Sequence, residues 1–327
     1  MFNRDVLNID LENEARNIST GWRDIVVKRL TRRGAVVAIS GGIDSSCCAA
    51  LAVKTFGPKK VFGLLLPERD SSSSSVRLGT QVAEHLGIEF TVENIQPTLA
   101  AIGCYERYDA AVKRVFPHFG EGWKSKIVLP DDLLNSDRMN FYRLVVQDPD
   151  GEMMTERMPL QAYLELVAAT NFKQRIRKTL EYFHADRLNY AVTGTPNRLE
   201  YDQGFFVKNG DGAADVKPIA HLYKTQVYAM ARHLGLPDEI CSTTPTTDTY
   251  SLEQGQDEFY FVLPYPEMDL LLWAKNHQVS VDNAAQVMDL EPAQVERVYK
   301  DIDRKRATTL PLHLTGILVG EVPEIIK

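Results

Sequence analysis

Six consecutive residues, Ser40-Gly41-Gly42-Ile43-Asp44-Ser45, carry the strongest chemical signal in the chain. They stand where an unbroken apolar run gives way to a helical pattern. Glycines at such a turn let backbone amides approach a phosphate, and the helix start adds free N–H donors and a partial positive charge. The guest this implies is a polyphosphate. The loop lacks the Lys-Ser/Thr ending of kinase-like NTPases and the G-x-G-x-x-G of nicotinamide-cofactor folds. A simple capped turn, with Asp44 and Ser45 satisfying the first helical amides, would read the same in isolation. A second concentration of polar chemistry follows Gly194, where Glu200, Lys208, Asp211 and Lys224 fall among several glycines. Carboxylates beside lysines suit metal and phosphate handling, although Glu200 alone would pass for a solvated acid and Lys224 for a snorkelling helix residue. No Ser-His-Asp or Cys-His set stands out among these residues.

These residues need a scaffold that brings strand ends together. Asp10 to Arg33 carries apolar residues at helical intervals and stops before Gly34; Ala35 to Ile39 (AVVAI) then reads as a strand covered on both faces. Asp44 to Phe56 is a helix closed by Gly57-Pro58, Val61 to Leu66 a second strand, Ser75 to Leu86 a helix, and Ile88 to Val92 a third strand. That βαβαβ rhythm predicts an α/β fold with a doubly wound parallel sheet, whose ligands sit at the carboxyl ends of the strands. Between Gly103 and Leu160 the rhythm breaks, and residues 103–160 read as an insertion. Within it, Asp148-Pro149-Asp150-Gly151 lies between FYRLVV and EMMTERM with Pro and Gly at turn positions, which predicts a β-hairpin. The α/β pattern resumes with a helix from Tyr163 to Phe183, a strand from Asn189 to Thr193 and a helix from Lys224 to Leu234. Helices from Val281 to Leu290 and Pro292 to Arg306 close the chain as part of a helical cap, residues 270–327, on a single domain of 1–327. The mixed signs of that last pair argue against a DNA-reading helix-turn-helix.

Composition narrows the class. A chain of 327 residues with 44% hydrophobic and 25% charged residues can bury a full core. A formal net charge of −7 disfavours a groove that tracks nucleic-acid phosphates, so a small-molecule substrate is expected and no nucleic acid. Cys47, Cys48, Cys104 and Cys241 form no C-x-x-C pair, which points to reduced thiols rather than zinc or disulfides. The first residues show no secretory signal and no run is long enough to span a bilayer, so the expectation is a cytoplasmic protein without membrane contact.

The loop at 40–45 resembles the S-G-G-x-D-S loop of the N-type ATP pyrophosphatases, which split ATP into AMP and pyrophosphate. The later segments Gly194-Thr195-Pro196-Asn197-Arg198-Leu199-Glu200, Gly204 to Asp215 and Leu222 to Val227 are similar, in order, to G-T-x-N-x-x-E, G-x-F-x-K-x-G-D-G-x-x-D and L-x-K-x-Q-V of the NAD synthetase family. Asn171 to Arg177 resembles that family's N-x-x-A-R-x-R helix, and Pro245 to Asp248 and Gly255 to Glu258 its P-[ST]-A-[DE]-L and G-Q-T-D-E loop. The resemblance spans Arg23 to Asp269 outside the insertion and implies an adenine nucleotide α-hydrolase-like fold. It further implies that Ser40, Gly41, Gly42, Ile43, Asp44 and Ser45 bind ATP, with Thr195 at the nucleotide, while Lys224 and Thr246 meet the phosphates and the developing adenylate. Asp44 and Glu200 would hold Mg²⁺, and Asn171, Arg175, Lys208 and Asp211 would hold the dinucleotide.

The activity so implied is amidation of deamido-NAD by ammonia through an acyl-adenylate, with ATP as co-substrate and NAD, AMP and pyrophosphate as products. The resemblance also implies a homodimer, which the insertion rings Tyr105, Tyr108, Phe116, Phe119, Trp123, Phe141 and Tyr142 would suit as a buried contact; packing within one chain is the alternative. No glutaminase segment precedes the first helix, so ammonia is expected free or from a separate glutaminase, a partner that Lys305-Arg306, similar to the K-R of glutamine-dependent relatives, leaves open. A superfamily enzyme acting on another carboxylate, a tRNA-modifying relative and a non-catalytic nucleotide sensor also stay open. Thiolation would need a catalytic cysteine, and Cys47 and Cys48 read as core.

Overall fold

A computed structural model describes residues 2–129, 142–242, 250–252, 260, 261, 263–320 and 322. Thr246 and the Pro245 to Asp248 and Gly255 to Glu258 loops lie outside the described residues, as does Phe141. Helix α1 (Leu11–Asp24) starts on an Asp10 cap and runs into a π-helical turn over Ile25–Arg29. The expected helix to Arg33 therefore ends early, because the turn is closed by an Ile25 carbonyl accepting the Leu30 N–H, and Thr31 takes a left-handed φ of 53°.

The α/β rhythm is present as expected: β1 (Ala35–Ala38), α2 (Ile43–Phe56), β2 (Val61–Leu65), α3 (Ser73–His85) and β3 (Glu89–Val92). After α4 (Gln96–Ala101) and α5 (Cys104–Lys113) come β4 (Lys124–Val128), β5 (Arg143–Gln147) and β6 (Met153–Arg157). The long α6 (Leu160–Leu188) leads into β7 (Ala191–Val192), α7 (Arg198–Gln203), α8 (Lys224–His233) and α9 (Asp238–Ser242). Helices Tyr265–Asn276, Val281–Met288 and Pro292–His313 finish the chain.

The main sheet is all parallel in the order β3-β2-β1-β7. The chain leaves β1 toward β2 on one side and returns to its other side with β7, so the topological switch point lies between β1 and β7. Alternation puts Ala35 and Val37 on the face covered by α1, α2 and α8, while Val36, Phe62, Leu64 and Val192 pack toward α6 and α5 on the other. Helices thus cover both faces, as a doubly wound sheet requires. The three last helices bury a separate core, with Leu271, Ala284 and Val298 among its members. Each buried Leu of these cores contributes about 1.5–3 kcal/mol relative to exposure.

Strands β4-β5-β6 form a second, antiparallel sheet. Its hairpin turns as the sequence predicted: Gly151 N–H donates to the Asp148 carbonyl at 3.1 Å and Gly151 takes φ 91°. The insertion's rings are mostly turned inward. Tyr108, Phe119, Trp123 and Tyr142 pack with α6 in one chain's own core, and Tyr105 is buried against the main sheet. The expectation that these rings form a contact between copies is corrected for those residues.

Candidate active site

The loop at residues 40–45 forms because β1 ends at the switch point and α2 starts only after two glycines. Gly41 takes φ 82°, and a Cβ there would come within 2.8 Å of Leu78 Cβ and 3.0 Å of the Ser75 carbonyl oxygen. Only glycine fits a position so crowded at that φ. Ser45 ties the loop together: its hydroxyl accepts from Ser40 N–H at 3.2 Å and donates to the Gly42 carbonyl at 3.1 Å. Ser40 Oγ accepts from Gly42 N–H at 3.2 Å. The first helical bond is Ser46 N–H to the Gly42 carbonyl at 3.1 Å. The amides of Ile43, Asp44 and Ser45 precede it and are the donors a helix start offers to an anion.

Asp44, on the first turn of α2, meets residues from two distant elements. Asn197, fully buried at the cap of α7, donates Nδ2–H to Asp44 Oδ1 at 3.0 Å, while its own Oδ1 accepts from the Leu199 and Glu200 amides. Glu200 closes the capping box, with Oε2 accepting from Asn197 N–H at 3.1 Å. Lys224, at the first position of α8 and 1% exposed, places its Nζ on Asp44 Oδ2. Asp269 fixes that helix start from another part of the chain, accepting from Lys224 N–H at 3.2 Å and Thr225 N–H at 2.7 Å.

The electrostatics follow from this packing. Burial first, and Asp44 second, push the Glu200 carboxyl up to about 8. Burial pulls the Lys224 ammonium down, but Asp44 and Glu200 outweigh it and leave Lys224 raised. Burial raises Asp269 to about 6, against its amide donors. The unfolded chain releases the Glu200 proton near 4.5 and the folded chain only near 8. Since the folded state then binds more protons, stability contributed by Glu200 is full below 4.5 and is lost as pH rises through about 8. Urea midpoints taken from about pH 5 to about pH 9 should therefore fall more steeply for the wild type than for Glu200→Gln. Parallel falls would sink this assignment.

A cleft of about 640 Å³ opens over these residues at the carboxyl ends of β1, β2 and β7. Every candidate site residue named from the sequence that lies within the described residues lines it: the loop 40–45, Thr195, Glu200 and Lys224, together with Asn171, Arg175, Lys208 and Asp211. Asp211 Oδ1 accepts from Val207 N–H at 2.8 Å and braces the turn that carries Lys208. Burial raises the Asp211 carboxyl. Lys208 Nζ donates to the Pro311 carbonyl at 2.7 Å, on the last turn of helix Pro292–His313, so in this state its ammonium serves a helix end.

Asp44 and Glu200 supply oxygen donors, and among the described residues no group of three or more His, Cys, Asp or Glu could hold a metal. A pair of carboxylates is what Mg²⁺ uses when substrate phosphates and waters complete its shell. Both carboxylates line the cleft beside the loop at 40–45, where such an ion would meet them, so the residues fit it.

Sequence reasoning missed several residues here. Asn197 carried a signal, since N-x-x-E is a capping-box spacing. The Lys178–Glu181 pair, 2.6 Å apart on α6, has a readable i,i+3 spacing, but its burial does not show in it. Asp269, and Thr309 and Leu312 in the cleft wall, carried no signal, because their roles depend on contacts between elements far apart in sequence.

Comparison with known proteins adds an independent line. The family model described as NAD synthase matches residues 15–115 and 137–308. The NH(3)-dependent NAD(+) synthetase of Rhizobium meliloti (strain 1021) is 57% identical over 325 residues, 99% of this chain and 97% of that one. The protein of the same name from Mesorhizobium japonicum is 53% identical over 319 residues, covering 98% and 100%. Two solved structures share the fold at lower identity. The NMN synthetase of Francisella tularensis superposes with a TM-score of 0.62 at 22% identity, covering 97% of this chain and 100% of that one. The NH3-dependent NAD synthetase of Campylobacter jejuni, in complex with nitrate, gives 0.61 at 21%, covering 98% and 100%.

Proposed function

The chain belongs to the NAD synthase family, and on that premise we propose that it amidates deamido-NAD with ammonia at the expense of ATP, releasing NAD, AMP and pyrophosphate. The observation that carries this reading is the convergence of the phosphate-binding loop, the Asp44–Lys224 contact and the 171–211 wall in one cleft at the sheet's switch point. A carboxylate is a poor electrophile because its leaving group would be hydroxide. Attack of the deamido-NAD carboxylate on the α-phosphorus of ATP forms a mixed anhydride and expels pyrophosphate. The amides of Ile43, Asp44 and Ser45, with the Ser40 hydroxyl, cradle the departing pyrophosphate.

Ammonia then adds to the acyl carbon, and collapse of the tetrahedral intermediate breaks the bond between that carbon and the AMP oxygen. One proton leaves and the amide remains. Lys224, buried and fixed at its backbone by Asp269, carries the positive charge that faces first the transferring phosphate and then the oxyanion. Asn171, Arg175, Lys208 and Asp211 form the side that receives the dinucleotide, and Thr195 meets the nucleotide of ATP. Asp44 and Glu200 would hold Mg²⁺, which when bound neutralises charge on the polyphosphate. Thr246 would join Lys224 at the adenylate.

Heavy oxygen placed in the deamido-NAD carboxylate tests the chemistry directly. One labelled oxygen should leave in AMP, with pyrophosphate unlabelled. Label in pyrophosphate, or ADP and phosphate as products, would overturn the adenylate route. Labelled AMP from a different acid, with no turnover of deamido-NAD, would overturn the substrate alone.

The working form is a homodimer acting in the cytoplasm. Leu160 and Leu164, 72% and 56% exposed one turn apart on α6, are the apolar surface that supports a contact between copies. Four unpaired cysteines suit a reducing compartment. Light scattering that gives one chain's mass at every concentration would exclude the dimer. We read residues 1–327 as one catalytic domain.

A further inference from the structure

We propose that Lys173 is a positioning residue for ATP: through Glu68 and Asp70 it holds the turn after β2, which sets the start of α3 against the phosphate-binding loop. This rests on the reading above, in which that loop takes ATP.

Lys173 lies on α6 between the cleft residues Asn171 and Arg175, but it is 1% exposed. Its Nζ donates to Glu68 Oε1 at 2.8 Å and to Asp70 Oδ2 at 2.7 Å. Glu68 Oε2 accepts from the Tyr105 hydroxyl at 2.9 Å, and Asp70 Oδ1 accepts from Arg69 Nε at 3.0 Å. Each charge is paired and most hydrogen-bonding capacity is used. Apolar side chains of similar volume would serve stability as well or better, because desolvating two carboxylates and an ammonium offsets their attraction. What the cluster gives instead is a fixed backbone path for the turn.

That path ends at the nucleotide site. Glu68 N–H donates to Ser71 Oγ at 3.1 Å, and Ser72 Oγ accepts from Ser75 N–H at 3.2 Å as the cap of α3. The Ser75 carbonyl oxygen and Leu78 Cβ are the atoms that leave no room for a side chain at Gly41. Pro67, Ser71, Ser72 and Ser75 line the same cleft as the phosphate-binding loop. Moving the turn therefore moves the wall that the loop leans on.

The test uses the triple variant Lys173→Met/Glu68→Gln/Asp70→Asn in the full chain, which removes the charges together and leaves none buried alone. Calorimetry reads ATP and deamido-NAD binding separately, beside a thermal melt. The expected result is a melt close to wild type, ATP affinity weaker by about tenfold or more, and deamido-NAD affinity within about twofold. Unchanged ATP affinity in the folded variant, or equal losses for both ligands, would overturn the positioning role. Wild-type protein that binds no ATP would overturn the functional reading, and this inference with it.

Discussion

Asp44→Asn is expected to remove pyrophosphate release, by about a thousandfold or more, while the protein still folds. Loss of one preorganised charge-stabilising group in a site sheltered from water costs a factor of that order. Asn keeps the shape of the side chain and an oxygen that can accept from Asn197 Nδ2, so the α7 cap and the start of α2 stay joined. It cannot balance the Lys224 ammonium. An uncompensated buried charge would cost about 3–5 kcal/mol, but Glu200 stands ready to take its place. Asp44 is second only to burial in holding the Glu200 proton on, so removing that charge lets Glu200 ionise more readily and pair with Lys224. The variant should thus lose turnover far more than it loses melting temperature. A pyrophosphate-release assay beside a circular-dichroism melt measures both, and activity within a few-fold of wild type would refute the role of Asp44.

The split between legible and hidden features follows from how local each one is. The first two strands of the parallel sheet could be read because AVVAI and VFGLLL are apolar runs that suit strands covered on both faces, and the third from the alternation over Ile88 to Val92. The β5-β6 hairpin was legible from four residues, since Asp148 to Gly151 specify their turn without help from the rest of the chain. Strand β4 escaped notice because its inward side chains are Ser125 and Ile127 between lysines, a weak alternation that needs the β5 partner to become a strand. The end of α1 was misplaced because Gly34 is a strong stop signal, whereas a π turn at Ile25–Arg29 has no comparable mark.

In the site, glycines and acids in register marked the walls of the cleft, but not what holds them. Lys173 and Glu68 are 105 residues apart, and each reads as an exposed charge until α6 is laid across β2. Asp269 caps α8 from 45 positions away. Lys208 was read as facing substrate, and its bond to the Pro311 carbonyl could not be foreseen without knowing where the last helix ends. Local pattern thus announces residues that line the cleft. Buried ionic supports come from packing and leave no spacing to find.

Lys224→Met should move two measurements in opposite directions. Turnover should fall by about a thousandfold, because the ammonium proposed to face the α-phosphate and later the oxyanion is gone and no other lysine touches Asp44 among the described residues. Binding of Mg²⁺ to the free protein should become tighter, since Lys224 Nζ occupies Asp44 Oδ2, one of the oxygens proposed to hold the ion. Without that ammonium the two carboxylates repel each other, so Glu200 holds its proton more strongly and the variant alone is less stable than wild type. A divalent cation relieves the repulsion and links its binding to folding, so added Mg²⁺ should raise the melting temperature of the variant more than that of the wild type. Thermal melts with and without Mg²⁺ read this without any turnover, which separates metal binding from catalysis. A variant that keeps its activity would remove Lys224 from the mechanism. Equal Mg²⁺ shifts in the two proteins would show that the ion does not compete with Lys224 for Asp44, and the proposed metal pair would fail.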